Sequence, residues 1–196
     1  MNSSTADSMS YIGGSVESPY ADGMPSAPDF GDVRLGGAWS TPPLDFKGRL
    51  STWAAITEFI WAGNATFTLV SMKSGTRFTY RVKAKKADVL AHLSDVTYFV
   101  SLLRGQDNEG DYAYVGVMRK PAQFNLTSAS RVTRTAESVR LLLWFFDKMA
   151  RQRDVLNKAV EFWHTGSCGC CGRALTVPSS VLTGFGPVCD GKRGRL

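Results

Sequence analysis

Three cysteines and a histidine stand near the C-terminus in the order His164-x3-Cys168-x2-Cys171-x17-Cys189. Thiolate sulfur and imidazole nitrogen are the donors zinc prefers, and four of them close a tetrahedron around it. The C-x2-C turn puts two sulfurs on one side of a tight loop. Gly172, directly after Cys171, tolerates the backbone angles that aim an amide N–H at a thiolate. Pro178-Ser179-Ser180 reads as the start of a short helix stopped by Gly184, after which Gly184-Phe185-Gly186-Pro187 delivers Cys189. Three thiolates on one zinc leave a charge of about −1, which Arg173, Lys192, Arg193 and Arg195 are close enough in sequence to offset. Other readings of the same residues stay open. Cys170 offers a four-sulfur set, at the cost of adjacent residues gripping one ion. A partner can supply a ligand, the residues can hold no metal at all, or His164 can be a helix-end residue satisfied by a carbonyl.

The run from His164 to Cys189 resembles a short zinc-binding module of unknown function found at the C-termini of small bacteriophage and actinobacterial proteins. Its pattern is C-G-x-C-G-R-x-L-T-x-P-x-S followed by G-x-G-P-x-C, matched here by Cys168, Gly169, Cys171, Gly172, Arg173, Leu175, Thr176, Pro178 and Ser180, then Gly184, Gly186, Pro187 and Cys189. Cys170 stands where the pattern more often has a basic or polar residue. The resemblance implies zinc binding and a phage or prophage setting, and it implies no activity.

The elements that must position these donors are legible in part. Residues 1–48 are rich in Ser, Gly, Pro and Asp without helical or strand period, which predicts a disordered acidic tail. Ser51 or Thr52 can cap a helix in which Trp53, Ile56 and Ile60 recur at helical spacing until Gly63-Asn64 stops it. Residues 66–72 and 77–85 predict a hairpin. In its second strand Phe78, Tyr80, Val82 and Ala84 face one way, and Arg77, Thr79, Arg81, Lys83 and Lys85 the other. Residues 87–93 suggest a helical turn, 97–103 and 112–118 a second hairpin, and 124–132 either a loop or an edge strand. From Thr135 onward Val139, Leu142, Leu143, Phe146 and Met149 form an apolar stripe, the strongest helix in the chain. Asp154 can cap a further helix through Trp163, with Val155, Ala159 and Phe162 inward. The expected fold is α+β: a four-stranded antiparallel sheet packed by helices over 49–163, then a zinc-knuckle-like module with a basic tail over 164–196. That last segment is too short to hold a core unaided.

Net charge is +6, but Asp7, Glu17, Asp22, Asp29 and Asp32 put −5 on residues 1–33, leaving +11 on the remainder. Such a body attracts polyanions, nucleic acid first among them, and deleting the acidic tail should then strengthen their binding. No stretch reaches the roughly 18 apolar residues of a membrane span. The N-terminus lacks the basic start and apolar run of a secretory signal, so a cytoplasmic location is expected, and the resemblance implies that the cell is a bacterial host. There, cysteines are more often metal-bound than paired.

No grouping of residues meets the requirements of an active site. There are only two histidines, His92 and His164, and no His-x-Glu with Pro-Cys-x-x-Cys, no His-Glu-x-x-His and no phosphate loop. Asp107, Glu109 and Asp111 alternate in a turn, as solvated loops commonly do. The expectation is a non-enzymatic zinc protein that binds nucleic acid through Arg77, Arg81, Lys83 and Lys85, with Arg104, Arg119 and Lys120 nearby and Arg173, Lys192, Arg193 and Arg195 on the module. Because Phe78 and Tyr80 face away from the arginines, phosphate contact is expected rather than base stacking. The alternative is a zinc-stabilised module that modulates a host or phage protein.

Overall fold

A computed structural model describes residues 48–85, 96–120 and 123–193. The expected acidic tail, apart from Gly48, lies outside the described residues, as do the turn expected over 87–93 with His92, and Arg195. The elements run β1 (Arg49–Leu50), α1 (Trp53–Trp61), β2 (Asn64–Ser71), β3 (Arg77–Ala84), β4 (Tyr98–Leu103), β5 (Tyr112–Arg119), β6 (Gln123–Leu126), α2 (Glu137–Ala150), β7 (Val160–His164), α3 (Pro178–Thr183) and α4 (Pro187–Arg193). No helix among the described residues is long and apolar enough to cross a membrane.

The fold is α+β, but the sheet has seven strands rather than four, in the order β1-β7-β2-β3-β4-β5-β6, every neighbouring pair antiparallel. The two expected hairpins, β2–β3 and β4–β5, supply its centre. The rest comes from short strands at the two edges and from β7. Residues 155–163 were expected to be helical, and this is corrected. Val155, Ala159 and Phe162 fit a helical stripe, but Val160, Phe162 and His164 also alternate with Glu161 and Trp163, which fits a strand equally well. The choice is made by distant partners. β7 inserts between β1 and β2, pairing Phe162 with Leu69 and His164 with Phe67. Asn157, with φ 60°, turns the chain out of helical geometry just before it. Arg49 then donates to the Asn157 side chain at 2.7 Å and pairs with Glu161 at 2.9 Å. The undecided stretch after Phe124 supplies the edge strand β6.

One face of the sheet holds the core. Phe67 and Leu69 of β2, Tyr80 and Val82 of β3, Val100 of β4 and Phe162 of β7 are fully buried there. α1 covers them with Ile56, Phe59 and Ile60, and α2 with Val139, Leu142, Phe145 and Phe146. α1 starts where Thr52 accepts from the Ala55 N–H at 3.3 Å and ends before Gly63, at φ 98°. Tyr80 donates its hydroxyl to the Ser138 carbonyl at 2.7 Å, tying β3 to the first turn of α2. Phe162, Phe67 and Phe145 form a triangle of rings, Phe162 lying 4.6 Å from Phe67 and 5.9 Å from Phe145. The other face carries Arg77, Thr79, Arg81 and Lys83 of β3, then Phe99, Ser101 and Leu103 of β4, as the pleat requires.

Candidate metal centre

β7 runs directly into the metal segment, so the tether is a strand and not the helix expected there. After His164 the chain reverses at Gly166, with φ 78°. A narrow loop follows, closed by the Cys168 N–H on the Arg173 carbonyl and the Gly172 N–H on the Cys168 carbonyl, both at 2.8 Å. Gly172 sits at φ 77°, the left-handed geometry that glycine adopts without strain. A Cβ there would also meet the Asn64 amide nitrogen at 2.4 Å. The knuckle is pinned to β2 through the Asn64 N–H on the Gly169 carbonyl at 2.8 Å, and to the return leg through the Gly169 N–H on the Gly184 carbonyl at 3.0 Å.

The return leg is α3, with proline in its first turn and Gly184 closing it in the left-handed region. Phe185 then enters the core beside Phe59, centroids 6.0 Å apart. α4 begins at Pro187, so Cys189 lies in its first turn.

This geometry brings Cys168, Cys171 and Cys189 together, their sulfurs all within 4.8 Å of one another, and they form the one such group among the described residues. Zinc–sulfur bonds of about 2.3 Å set tetrahedral sulfurs about 3.8 Å apart, so a modest contraction suffices for the three to share an ion. Burial would push the Cys168 thiol up, but the backbone N–H groups of Cys171, Gly186 and Cys170 outweigh it and bring it down to about 7. Amides directed at a sulfur in this way favour a thiolate. Burial pushes Cys189 up to about 12, reinforced by hydrogen bonds with the thiols of Cys171, Cys168 and Cys170 and by the negative charge of Cys168. One thiolate is therefore easily formed here, and a further deprotonation needs a cation to offset it. A divalent metal would supply that charge, and the donor set fits zinc.

His164 is held elsewhere. Its Nε2 lies 2.7 Å from the Val181 carbonyl oxygen and its Nδ1 accepts from the Gly166 N–H at 3.1 Å. A carbonyl only accepts, so the network assigns the proton to Nε2, and the Nδ1 lone pair is already used. The ring packs 5.3 Å from Phe59. Burial lowers its pKa and the Val181 bond opposes this more weakly, so the ring is neutral. Cys170 is exposed and reaches the Cys189 thiol.

The cations named from sequence divide. Arg77, Lys83, Lys85, Arg104, Arg119, Lys120, Arg173 and Lys192 are exposed. Arg81 is committed within the fold: its guanidinium lies 3.7 Å over the Tyr112 ring and donates to the Asn108 and Glu109 carbonyls at 2.9 and 3.0 Å. Arg193 ends α4. The acidic turn ties itself together, with the Asp107 and Asp111 carboxylates accepting from the backbone N–H groups of Glu109 and Asp107.

Residues 161–194 match the model of a family of unknown function, DUF6011. The match begins inside β7 and ends at the last turn of α4, so it takes in both the sulfur group and the strand that carries it. No curated protein and no solved structure matches the chain.

Proposed function

We propose that this is a non-enzymatic zinc protein that binds nucleic acid through the cationic surface of its sheet and module. The zinc assignment is carried by one observation: three thiols converge while three backbone amides lower the most buried of them toward thiolate. Bound there, zinc would staple the C-terminal segment to the sheet, a structural role in which ligation adds folding free energy. Cys168, Cys171 and Cys189 would hold it. The fourth position falls to solvent, and His164 positions the knuckle from beneath.

Nucleic-acid binding is supported by the exposed row Arg77, Lys83 and Lys85 on and just after β3, with Arg119 two strands away on β5 and Arg173 and Lys192 on the module. Phosphate neutralisation by such a row is salt-dependent and indifferent to sequence. The resemblance of the module to phage proteins supports a phage setting and the cytoplasm of a bacterial host. Metal content by mass spectrometry tests the first half of the reading, and a low-salt titration with DNA and RNA against a cationic control protein tests the second. Stoichiometric zinc lost in Cys171→Ser, and affinity well above the control, are the expected results.

A second reading has its own observation. Val177, Leu182 and Val188, all on the module, are 45, 69 and 71% exposed. Apolar side chains presented on a metal-stiffened segment suit a protein partner. Substituting Leu182 and Val188 with serine would abolish capture of that partner without changing metal content.

A further inference from the structure

We propose that the outer face of the sheet is a stacking platform for single-stranded nucleic acid, centred on Phe99 and Tyr114. The proposal rests on the nucleic-acid reading and names the form of ligand that reading leaves open. The register of the sheet carries it. Lys83 pairs with Phe99 and Arg81 with Ser101, while Phe99 pairs with Val117 and Ser101 with Tyr114. Residues directly opposite across antiparallel strands project from the same face. Lys83, Phe99 and Val117 therefore form one row across three strands, and Arg81, Ser101 and Tyr114 the next. The aromatic rings that the hairpin's own alternation assigned to the buried face are replaced by rings from neighbouring strands.

Phe99 is 39% exposed, while Tyr98, Val100 and Leu102 of the same strand are buried on the opposite face. Its ring centroid is 6.3 Å from that of Tyr114, so two rings on adjacent strands are presented together. The Tyr114 hydroxyl accepts from Thr127 at 3.2 Å, which fixes the orientation of its ring. Both long helices pack on the other face. Lys83 and Arg119 flank the rings and are exposed.

An exposed ring beside a half-buried one, with cations next to them, suits unpaired bases: each base stacks on a π-face while its phosphate meets a lysine or arginine. A duplex hides its base faces and gains only the phosphate contacts. Arg81 helps in a different way from that expected of it. By covering Tyr112 and holding the loop at Asn108 and Glu109, it stiffens the edge of the platform instead of meeting phosphate. The rings and cations contact bases and phosphates and leave the sugar unread, so DNA and RNA single strands should bind alike.

The test uses the zinc-loaded full chain and fluorescence anisotropy with a labelled mixed-sequence oligonucleotide of about 20 nucleotides, enough to exceed a single-fold site. It is offered as single-stranded DNA, single-stranded RNA and duplex. Single strands should bind about tenfold more tightly than duplex. Phe99→Ala should weaken single-strand binding by about tenfold, leave duplex binding unchanged, lower the melting temperature by no more than a few degrees, and be rescued by Phe99→Trp. Lys83→Gln should weaken both forms and lower the salt slope by about one. If Phe99→Ala leaves single-strand affinity intact, or duplex binds at least as well, the platform is overturned while phosphate binding stands. If no form binds above the cationic control, the nucleic-acid reading itself falls and the platform with it.

Discussion

His164 is the residue at which donor type and donor role separate. Its position four residues before Cys168 suits a ligand, yet both ring nitrogens are engaged by backbone, one on Val181 and one on Gly166. Burial lowers its pKa below the usual 6.5. The unfolded chain therefore takes up a proton near pH 6.5 that the folded chain resists. The associated stability is fully present above that pH and is lost as the pH falls toward the folded value. In chelator, the melting temperature should drop between pH 7 and 5, and His164→Gln should flatten that drop while costing about 1–3 kcal/mol at pH 7 through the lost buried bond. The Cys168 thiol, lowered to about 7 from 9, acts in a higher window and leaves the comparison between the two proteins unaffected. Among the thiols, Cys171→Ser should abolish stoichiometric zinc and Cys170→Ser should retain it, as read by mass spectrometry of the native protein. The cysteine spacing made the sulfur group legible from sequence. The histidine's role was not, because the carbonyl that claims it lies in α3, seventeen residues further along the chain.

At the scale of elements, the floor of the site is the Phe59 ring of α1. It touches Phe162 of β7, His164 and Phe185, and it leaves no room beside two glycines. A Cβ on Gly184 would come within 2.6 Å of Phe59 Cδ2, and one on Gly169 within 2.8 Å. Gly184 also sits at φ 80°, so alanine there carries both a clash and backbone strain, together about 2–4 kcal/mol. Gly184→Ala should lower the chemical-denaturation midpoint more than Gly169→Ala, whose backbone is unstrained. Elements with a strong local period could be read in advance: the alternation of β3 and the apolar stripe of α2 both survive in the structure. β7 could not, since Phe162 and Val160 satisfy two periods at once and only pairing with β2, about 95 residues earlier, selects one. The strand that holds Phe99 was legible, but the face Phe99 takes and its place beside Lys83 depend on the β3–β4 register.

At the scale of the whole molecule, the metal segment and the sheet share one core. Cys168 and Phe185 are buried in the same apolar cluster as Phe59, Phe67 and Phe145, and β7 lies between two strands from the start of the described chain. Unfolding should therefore be a single transition that the metal shifts as a unit. Zinc at about a thousandfold over its dissociation constant adds about 4 kcal/mol, so a chelator should lower the melting temperature by roughly 10 °C with near- and far-ultraviolet dichroism lost together. Two separate transitions, or an unchanged midpoint, would refute the shared core or the metal respectively. The ring of Phe59 also bears on transplantation. Residues 161–194 contain every cysteine but not the aromatic floor beneath them, so the segment is not expected to be a self-sufficient cassette. Spliced onto a foreign scaffold, it should chelate poorly until that scaffold offers a strand edge for β7 and a benzyl group at the equivalent height.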